Sequence, residues 1–157
     1  MAIKNFQGNQ VGDTNAKAEK ITVRDCMSKN MILFTKDQSI IEVVEKLIKH
    51  RISGGPVVDA QHHVLGVISE GDCIKQISES RYYNMPMEDT SVEKYMTKNV
   101  ETISPDVNLF DAANKFLASK HRRFPVVENN KIIGIVSQKD ILRTALQLKG
   151  SSWKYGV

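Results

Sequence analysis

Apolar residues along this chain switch between a helical period and an extended one, and they do so twice in the same order. Ile40, Val44, Leu47 and Ile48 fall on one helical face, as do Leu109, Ala112, Ala113, Phe116 and Leu117. Ser39-Ile40-Ile41-Glu42 opens the first of these helices with a capping box, and Asn108-Leu109-Phe110-Asp111 is a looser counterpart. A short extended stretch precedes each helix, Met31-Ile32-Leu33-Phe34 in one case and Val100-Glu101-Thr102-Ile103 in the other. Each helix must stop before Pro56 or Pro125, because the residue ahead of a proline is pushed out of the α region. β-Branched runs then predict two hairpins, residues 56–59 with 65–69 and residues 125–128 with 132–137. Asn129-Asn130 suits a positive-φ turn in the second hairpin, while residues 60–63 give the first a longer loop. A further helix begins at Ser69 or Ser137, so each unit reads β-α-β-β-α.

The two units are copies. Residues 23–58 align with 92–127 without a gap, and the match resumes at Gly66 and Gly134 after one residue is dropped. Identical pairs include Val23/Val92, Met27/Met96, Lys46/Lys115, Pro56/Pro125, Gly66/Gly134, Ser69/Ser137 and Asp72/Asp140. Two copies are too few for a solenoid, so two like units packed about a pseudo-twofold axis are expected, with equivalent clefts. The predicted layout is a mobile N-terminal arm over 1–20, a first repeat over 21–78 and a linker over 79–90. A second repeat over 91–146 and a tail over 147–157 complete it, with Gly150 ending the last helix.

Composition narrows the classes. With 41% hydrophobic and 25% charged residues among 157, the chain reads as an ordinary α/β (α+β) globular protein. No apolar run approaches the roughly 20 residues that cross a bilayer, and the N-terminus has no apolar signal-peptide core, so a cytoplasmic protein without membrane contact is expected. Cys26 and Cys73 match no metal or redox spacing and read as reduced thiols. The net charge of +4 is dispersed except at Lys120-His121-Arg122-Arg123, which reads as a local anion site or a solvated loop, not as a nucleic-acid stripe.

The chemistry concentrates at Gly66-Val67-Ile68-Ser69-Glu70-Gly71-Asp72 and its copy Gly134-Ile135-Val136-Ser137-Gln138-Lys139-Asp140. Both carry a strand into a helix N-terminus, where free N–H groups favour an anion. Ser69 and Ser137 suit a phosphate, and Asp72 and Asp140 suit the paired hydroxyls of a ribose. Ser-x-x-Asp is equally a capping box that needs no ligand, and the two roles are compatible. Arg122 and Arg123 offer phosphate donors, His121 joins them or simply ends the helix, and Ile52, Gly55, Pro56, Phe124 and Pro125 offer walls for an adenine. His62-His63 in the hairpin tip lack the spacing of metal ligands. No phosphate loop, nucleophile elbow or paired catalytic carboxylates are present, and the repeats take up the length, so an enzyme is not expected.

The order β-α-β-β-α, the blocks Met27-Ser28 and Met96-Thr97, the Pro-Val-Val strand starts and the Gly-h-h-Ser-x-x-Asp junctions together resemble cystathionine-β-synthase (CBS) domains. A tandem pair of these is a Bateman module, and the resemblance covers about residues 21–146. It implies an adenosine nucleotide (AMP, ADP or ATP, sometimes S-adenosylmethionine or a cyclic dinucleotide) as regulatory ligand in the inter-repeat clefts, with no required cofactor. Carried over by position, Asp72 and Asp140 hold ribose, Ser69 and Ser137 approach phosphate, Thr102 lines the adenine end, and Arg122 and Arg123 bind phosphate. The copies differ: Leu33 replaces Thr102, Ser53-Gly54 replace Arg122-Arg123, and Glu70 stands where Gln138-Lys139 begin. Anion binding is therefore expected at the Asp140 cleft, with Lys139 contributing, and weak or absent at the Asp72 cleft. The resemblance also implies a homodimer signalling to an unidentified regulated protein. A ligand-free docking module, and weak nucleic-acid binding through the arm and Lys120–Arg123, are the alternatives.

Overall fold

Among the described residues four strands form two separate two-stranded sheets, β1 (Gly54–Val58) with β2 (Val64–Ser69) and β3 (Arg123–Glu128) with β4 (Lys131–Ser137). Around them lie α1 (Val23–Cys26), α2 (Ile40–His50), α3 (Glu70–Tyr83), α4 (Val92–Tyr95), α5 (Leu109–Ala118) and α6 (Gln138–Trp153). The computed structural model describes residues 20–84 and 90–153, so nearly all of the expected N-terminal arm and part of the linker lie outside the described residues. Contacts divide the chain into two units. One takes the chain up to Ser28 with Ile103–Val126 and the chain from Gly134; the other takes Lys29–Thr102 with Val127–Ile133.

In the second of these units α2 is opened by the expected capping box. Ser39 Oγ accepts from the Glu42 N–H at 3.2 Å, and Glu42 Oε2 accepts from the Ser39 N–H at 3.3 Å. The helix stops at Arg51, whose φ of 53° is left-handed, before β1 begins. Its buried stripe is Ile40, Val43 and Leu47, packed with Phe34, Val57, Ile68, Cys73 and Val92. Ile48, expected on the buried face, is 73% exposed, and Leu117 on α5 is 85% exposed. Each helix covers only a narrow hairpin, and a residue one step past the buried Leu47 or Phe116 is turned about 100° outward.

The expected leading strands shrink to single parallel bridges. Phe34 pairs with Val57 and Ile103 with Val126. The Phe34 N–H donates to the Pro56 carbonyl at 2.9 Å, and the Ile103 N–H to that of Pro125 at 3.0 Å. The antiparallel β1–β2 register matches Gly55 with Ile68 and Pro56 with Val67, and an irregularity falls between Val57 and Val58. Beyond it the loop is held by Asp59, whose Oδ1 accepts from the Gln61 and His63 N–H groups, while Oδ2 lies 2.8 Å from His63 Nδ1. Desolvation raises the Asp59 carboxyl, but these bonds from His63 and Gln61 outweigh it and hold the group below the usual carboxylate range. In the second hairpin Asn129 and Asn130 take φ values of 52° and 64°, the positive-φ turn their identity predicts.

The two cores solve one packing problem with exchanged residues. Position 34 is Phe opposite Gly55, whereas its copy is Ile103 opposite Phe124. A Cβ on Gly55 would lie 2.9 Å from the Phe34 ring, so the ring occupies that space itself. Phe124 fills its own unit and stacks on Phe116 at a centroid distance of 4.7 Å. Equivalent lysines cover both rings: Lys46 Nζ lies 5.4 Å from the Phe34 centroid and Lys115 Nζ 5.2 Å from that of Phe124.

Each hairpin is completed by the segment that leads into the other repeat. Val67 and Thr97 exchange N–H···O=C bonds of 3.0 and 2.9 Å, and their counterparts Ile135 and Ser28 exchange bonds of 2.9 and 2.8 Å. A Cβ on Gly66 would come within 2.6 Å of the Thr97 carbonyl, and one on Gly134 within 2.7 Å of Met27 Sδ. The repeated glycine and the repeated Met-Ser/Thr block are thus two sides of one contact. Two helix ends differ from expectation. α3 runs to Tyr83, where Asn84 (φ 53°) caps it, and α6 passes through Gly150 to Trp153. Gly is permitted in a helix interior at a cost of about 1 kcal/mol, so its presence does not by itself end one.

Phe34→Ala is expected to lower unfolding stability by about 3–5 kcal/mol, because the ring is fully buried in the core with Ile40, Val43, Leu47 and Val57. Urea unfolding followed by circular dichroism measures this.

Candidate functional site

Strand β2 hands over to α3, and β4 to α6, through the same serine–aspartate arrangement. Ser69 is extended (φ −132°, ψ 170°), and both its N–H and its Oγ–H donate to Asp72 Oδ2, at 2.8 and 3.0 Å. Ser137 repeats this on Asp140 Oδ2 at 2.8 and 2.9 Å, and its Oγ accepts from the Asp140 N–H at 3.2 Å. The capping arrangement is therefore present at both junctions. It commits Oδ2 of each carboxylate to the serine, so that Oδ1 is the oxygen turned to other groups.

Each first helical N–H is also taken. Glu70 N–H donates to the Ser53 carbonyl at 2.9 Å, and Gln138 N–H to that of Arg122 at 3.0 Å. Gln138 Nε2 adds a 3.3 Å bond to the His121 carbonyl. These backbone bonds bring Arg122, Arg123 and Lys139 beside the Ser137–Asp140 junction, all three exposed. At the corresponding place Ser53 and Gly54 lie beside Ser69–Asp72, and a Cβ on Gly54 would come within 2.6 Å of the Ile68 carbonyl. The backbone bonds thus set exposed basic residues next to the Ser137–Asp140 junction, whereas Ser53, Gly54 and Glu70 stand at the corresponding places beside Ser69–Asp72.

The expected apolar walls are placed less openly. Phe124 is 0% exposed, packed against Phe116 and meeting the exposed His121 ring edge-on at 5.5 Å. Pro125, Gly55 and Pro56 are buried as well. These residues support the strands rather than present faces. Ile52 is half-buried, its N–H bonded to the Leu47 carbonyl at 3.1 Å, and Thr102 is half-buried directly ahead of the bridge residue Ile103.

One residue escaped the sequence reading. Arg143 Nη1 lies 3.3 Å from Asp140 Oδ1, with the side chains 65% and 16% exposed. The i,i+3 spacing of opposite charges was the available signal. Burial pushes both thiols up. At Cys26 the Thr144 side chain opposes the rise and the charges of Asp25 and Asp140 add to it; at Cys73 the charges of Asp72 and Glu70 add. Neither environment resembles that of an activated nucleophile, which depresses a thiol's pKa. No His, Cys, Asp and Glu cluster suited to a metal occurs among the described residues.

The chain belongs to the CBS domain family, which matches it at residues 23–79 and again at 92–146. The structure of CBSX2 from Arabidopsis thaliana, determined in complex with AMP, is 31% identical and covers 82% of this chain and 98% of its own, with a TM-score of 0.72. The CBS domain pair of MJ0100, in complex with 5′-methylthioadenosine and S-adenosyl-L-methionine, is also 31% identical, covers 78% and 98% and has a TM-score of 0.65. Among curated relatives, the uncharacterized protein MJ1225 of Methanocaldococcus jannaschii is 27% identical over 85% of this chain, which spans 44% of that relative's length. No helix among the described residues is long and apolar enough to cross a membrane.

Ser137→Ala removes a bond to the Asp140 N–H and one to its carboxylate, and is expected to cost roughly 0.5–2 kcal/mol of stability without ligand. Thermal unfolding monitored by calorimetry checks it.

Proposed function

We propose that the chain is a regulatory, non-catalytic module that binds an adenosine nucleotide through its Ser-x-x-Asp junctions and passes the ligand state to a partner protein. The observation that carries this reading is the duplicated geometry at Ser69–Asp72 and Ser137–Asp140. In both, a carboxylate is held through Oδ2 by the preceding serine and turns Oδ1 to a sugar diol, an oxygen that at Asp140 also meets Arg143. The AMP complex of CBSX2 and the methylthioadenosine and S-adenosylmethionine complexes of MJ0100 support an adenosine moiety as the common element. In this reading Asp140 and Asp72 take ribose, Arg122, Arg123 and Lys139 take phosphate beside Ser137, and Thr102 and Ile52 border the base. The basic flank makes the Asp140 half-site the stronger anion binder.

Titration calorimetry with AMP, ADP, ATP and S-adenosylmethionine tests the proposal. Asp140→Ala and Arg123→Ala are each expected to weaken nucleotide binding about 10- to 100-fold, since a hydrogen bond to a charged group contributes about 1.5–3 kcal/mol. Absence of heat with every adenosine ligand sinks the reading and favours a docking module.

A homodimer is part of the same reading. Ile48 and Leu117 are equivalent positions of the two repeats, as are Ile74 and Leu142, and the four are 73%, 85%, 64% and 68% exposed. Apolar side chains exposed at matching places in both repeats suit burial against a second copy. Ile48→Glu with Leu117→Glu is expected to shift the species seen by light scattering from dimer to monomer without unfolding it. An unchanged mass rules these positions out as dimer contacts.

A further inference from the structure

Asp140 and Asp72 are equivalent by sequence and by their serine bonds, yet the structure treats their second oxygens differently. Asp140 Oδ1 carries the Arg143 guanidinium at 3.3 Å, whereas Asp72 has no ion pair among the described residues. The position equivalent to Arg143 is Lys75, also a cation. Its ammonium turns away, toward Glu79 one turn further on, at 4.0 Å. Glu79 also accepts from the Tyr95 hydroxyl at 2.7 Å. The copy of Glu79 is the neutral Gln147, so Arg143 has no carboxylate four residues ahead and reaches back to Asp140 instead. Two differences between the repeats, Lys75 for Arg143 and Glu79 for Gln147, thus accompany the change in which aspartate is paired.

We infer that Arg143 is a specificity-determining residue that makes the Asp140 half-site select anionic adenosine ligands over neutral and cationic ones. This rests on the ligand reading of the Ser-x-x-Asp junction and adds the charge class to it. Two effects act in the same direction. Arg143 offsets the Asp140 charge, which would otherwise repel a phosphate arriving beside Arg122 and Arg123. It also competes for the oxygen that a ribose diol needs. A ligand bearing phosphate compensates that competition by drawing on the guanidinium and its basic neighbours, and a neutral nucleoside cannot. At the Asp72 half-site the carboxylate has no cation partner among the described residues and Glu70 is its near neighbour in sequence, so the selection against neutral or cationic adenosyl ligands is missing there.

The test compares AMP with adenosine by titration calorimetry on the wild-type chain, Arg143→Gln, Arg143→Lys and Lys75→Gln. The same set is repeated in an Asp72→Asn background, so that the Asp140 half-site alone reports, with unfolding curves confirming that each variant folds. Arg143→Gln is expected to lower the AMP-to-adenosine affinity ratio about two- to fivefold, the size of an exposed ion pair. Arg143→Lys should keep the wild-type ratio and Lys75→Gln should not change it, which a merely structural role for Arg143 does not predict. An unchanged ratio in Arg143→Gln, with both ligands still binding, overturns the selector role and leaves the nucleotide reading intact. A ratio that falls equally in Arg143→Lys overturns the assignment to charge. Failure of the wild-type chain to bind either ligand overturns the selector role, and the nucleotide reading falls with it when ADP, ATP and S-adenosylmethionine also give no heat.

Discussion

A pair of backbone hydrogen bonds over a glycine closes each hairpin, and much else in the fold depends on that contact. Val67 with Thr97, and Ile135 with Ser28, can approach only because Gly66 and Gly134 carry no side chain. The approach brings Met96 and Met27 onto the glycines and positions the short helices α4 and α1 beside the sheets. It also sets where β2 and β4 end, and hence where Ser69 and Ser137 sit when the chain turns into a helix. A buried hairpin edge left unpaired would expose carbonyl and N–H groups at a cost of about 1–3 kcal/mol each, so the lead-in segments are needed for folding as much as for shape.

The same contact explains why sequence repeat and compact unit do not coincide. The segment ahead of the second repeat pairs within the unit that holds the first hairpin, and the segment ahead of the first repeat pairs on β4. Once the segments are exchanged in this way, neither unit is complete with the residues of one repeat alone. Each hairpin is then supported by chain from far away in sequence, while the serine–aspartate junctions combine local capping bonds with backbone bonds from Glu70 to Ser53 and from Gln138 to Arg122. Such placement suits a recognition site, since a carboxylate fixed through Oδ2 loses little freedom when Oδ1 meets a ligand.

Much of the site was legible in the residues. The Ser-x-x-Asp spacing specified both the cap and the carboxylate, because a side chain three residues into a helix reaches back to the N-cap whatever surrounds it. The Arg122-Arg123 contrast with Ser53-Gly54 was legible too, since strand starts align by the repeat. Periodicity erred where burial depended on what covers a helix: Ile48 and Leu117 match an apolar face in pattern, yet each hairpin is too narrow to reach them. The residues expected to wall an adenine are likewise more buried than their pattern suggests. Phe124 is apolar and near the junction in sequence, but its ring is consumed by Phe116 and Lys115.

By itself the sequence determined what is local or repeated: the β-α-β-β-α order, the caps, the asparagine turn, the family and the two carboxylates. Those features follow from backbone preferences and short spacings that hold in any surroundings. The tertiary structure decided which hairpin each lead-in segment completes, which aromatic ring fills which core, and that Arg143 pairs with Asp140 while Lys75 turns to Glu79. These outcomes depend on distances between groups that compete for the same space or the same charge, and such a competition is settled only once the chain has folded.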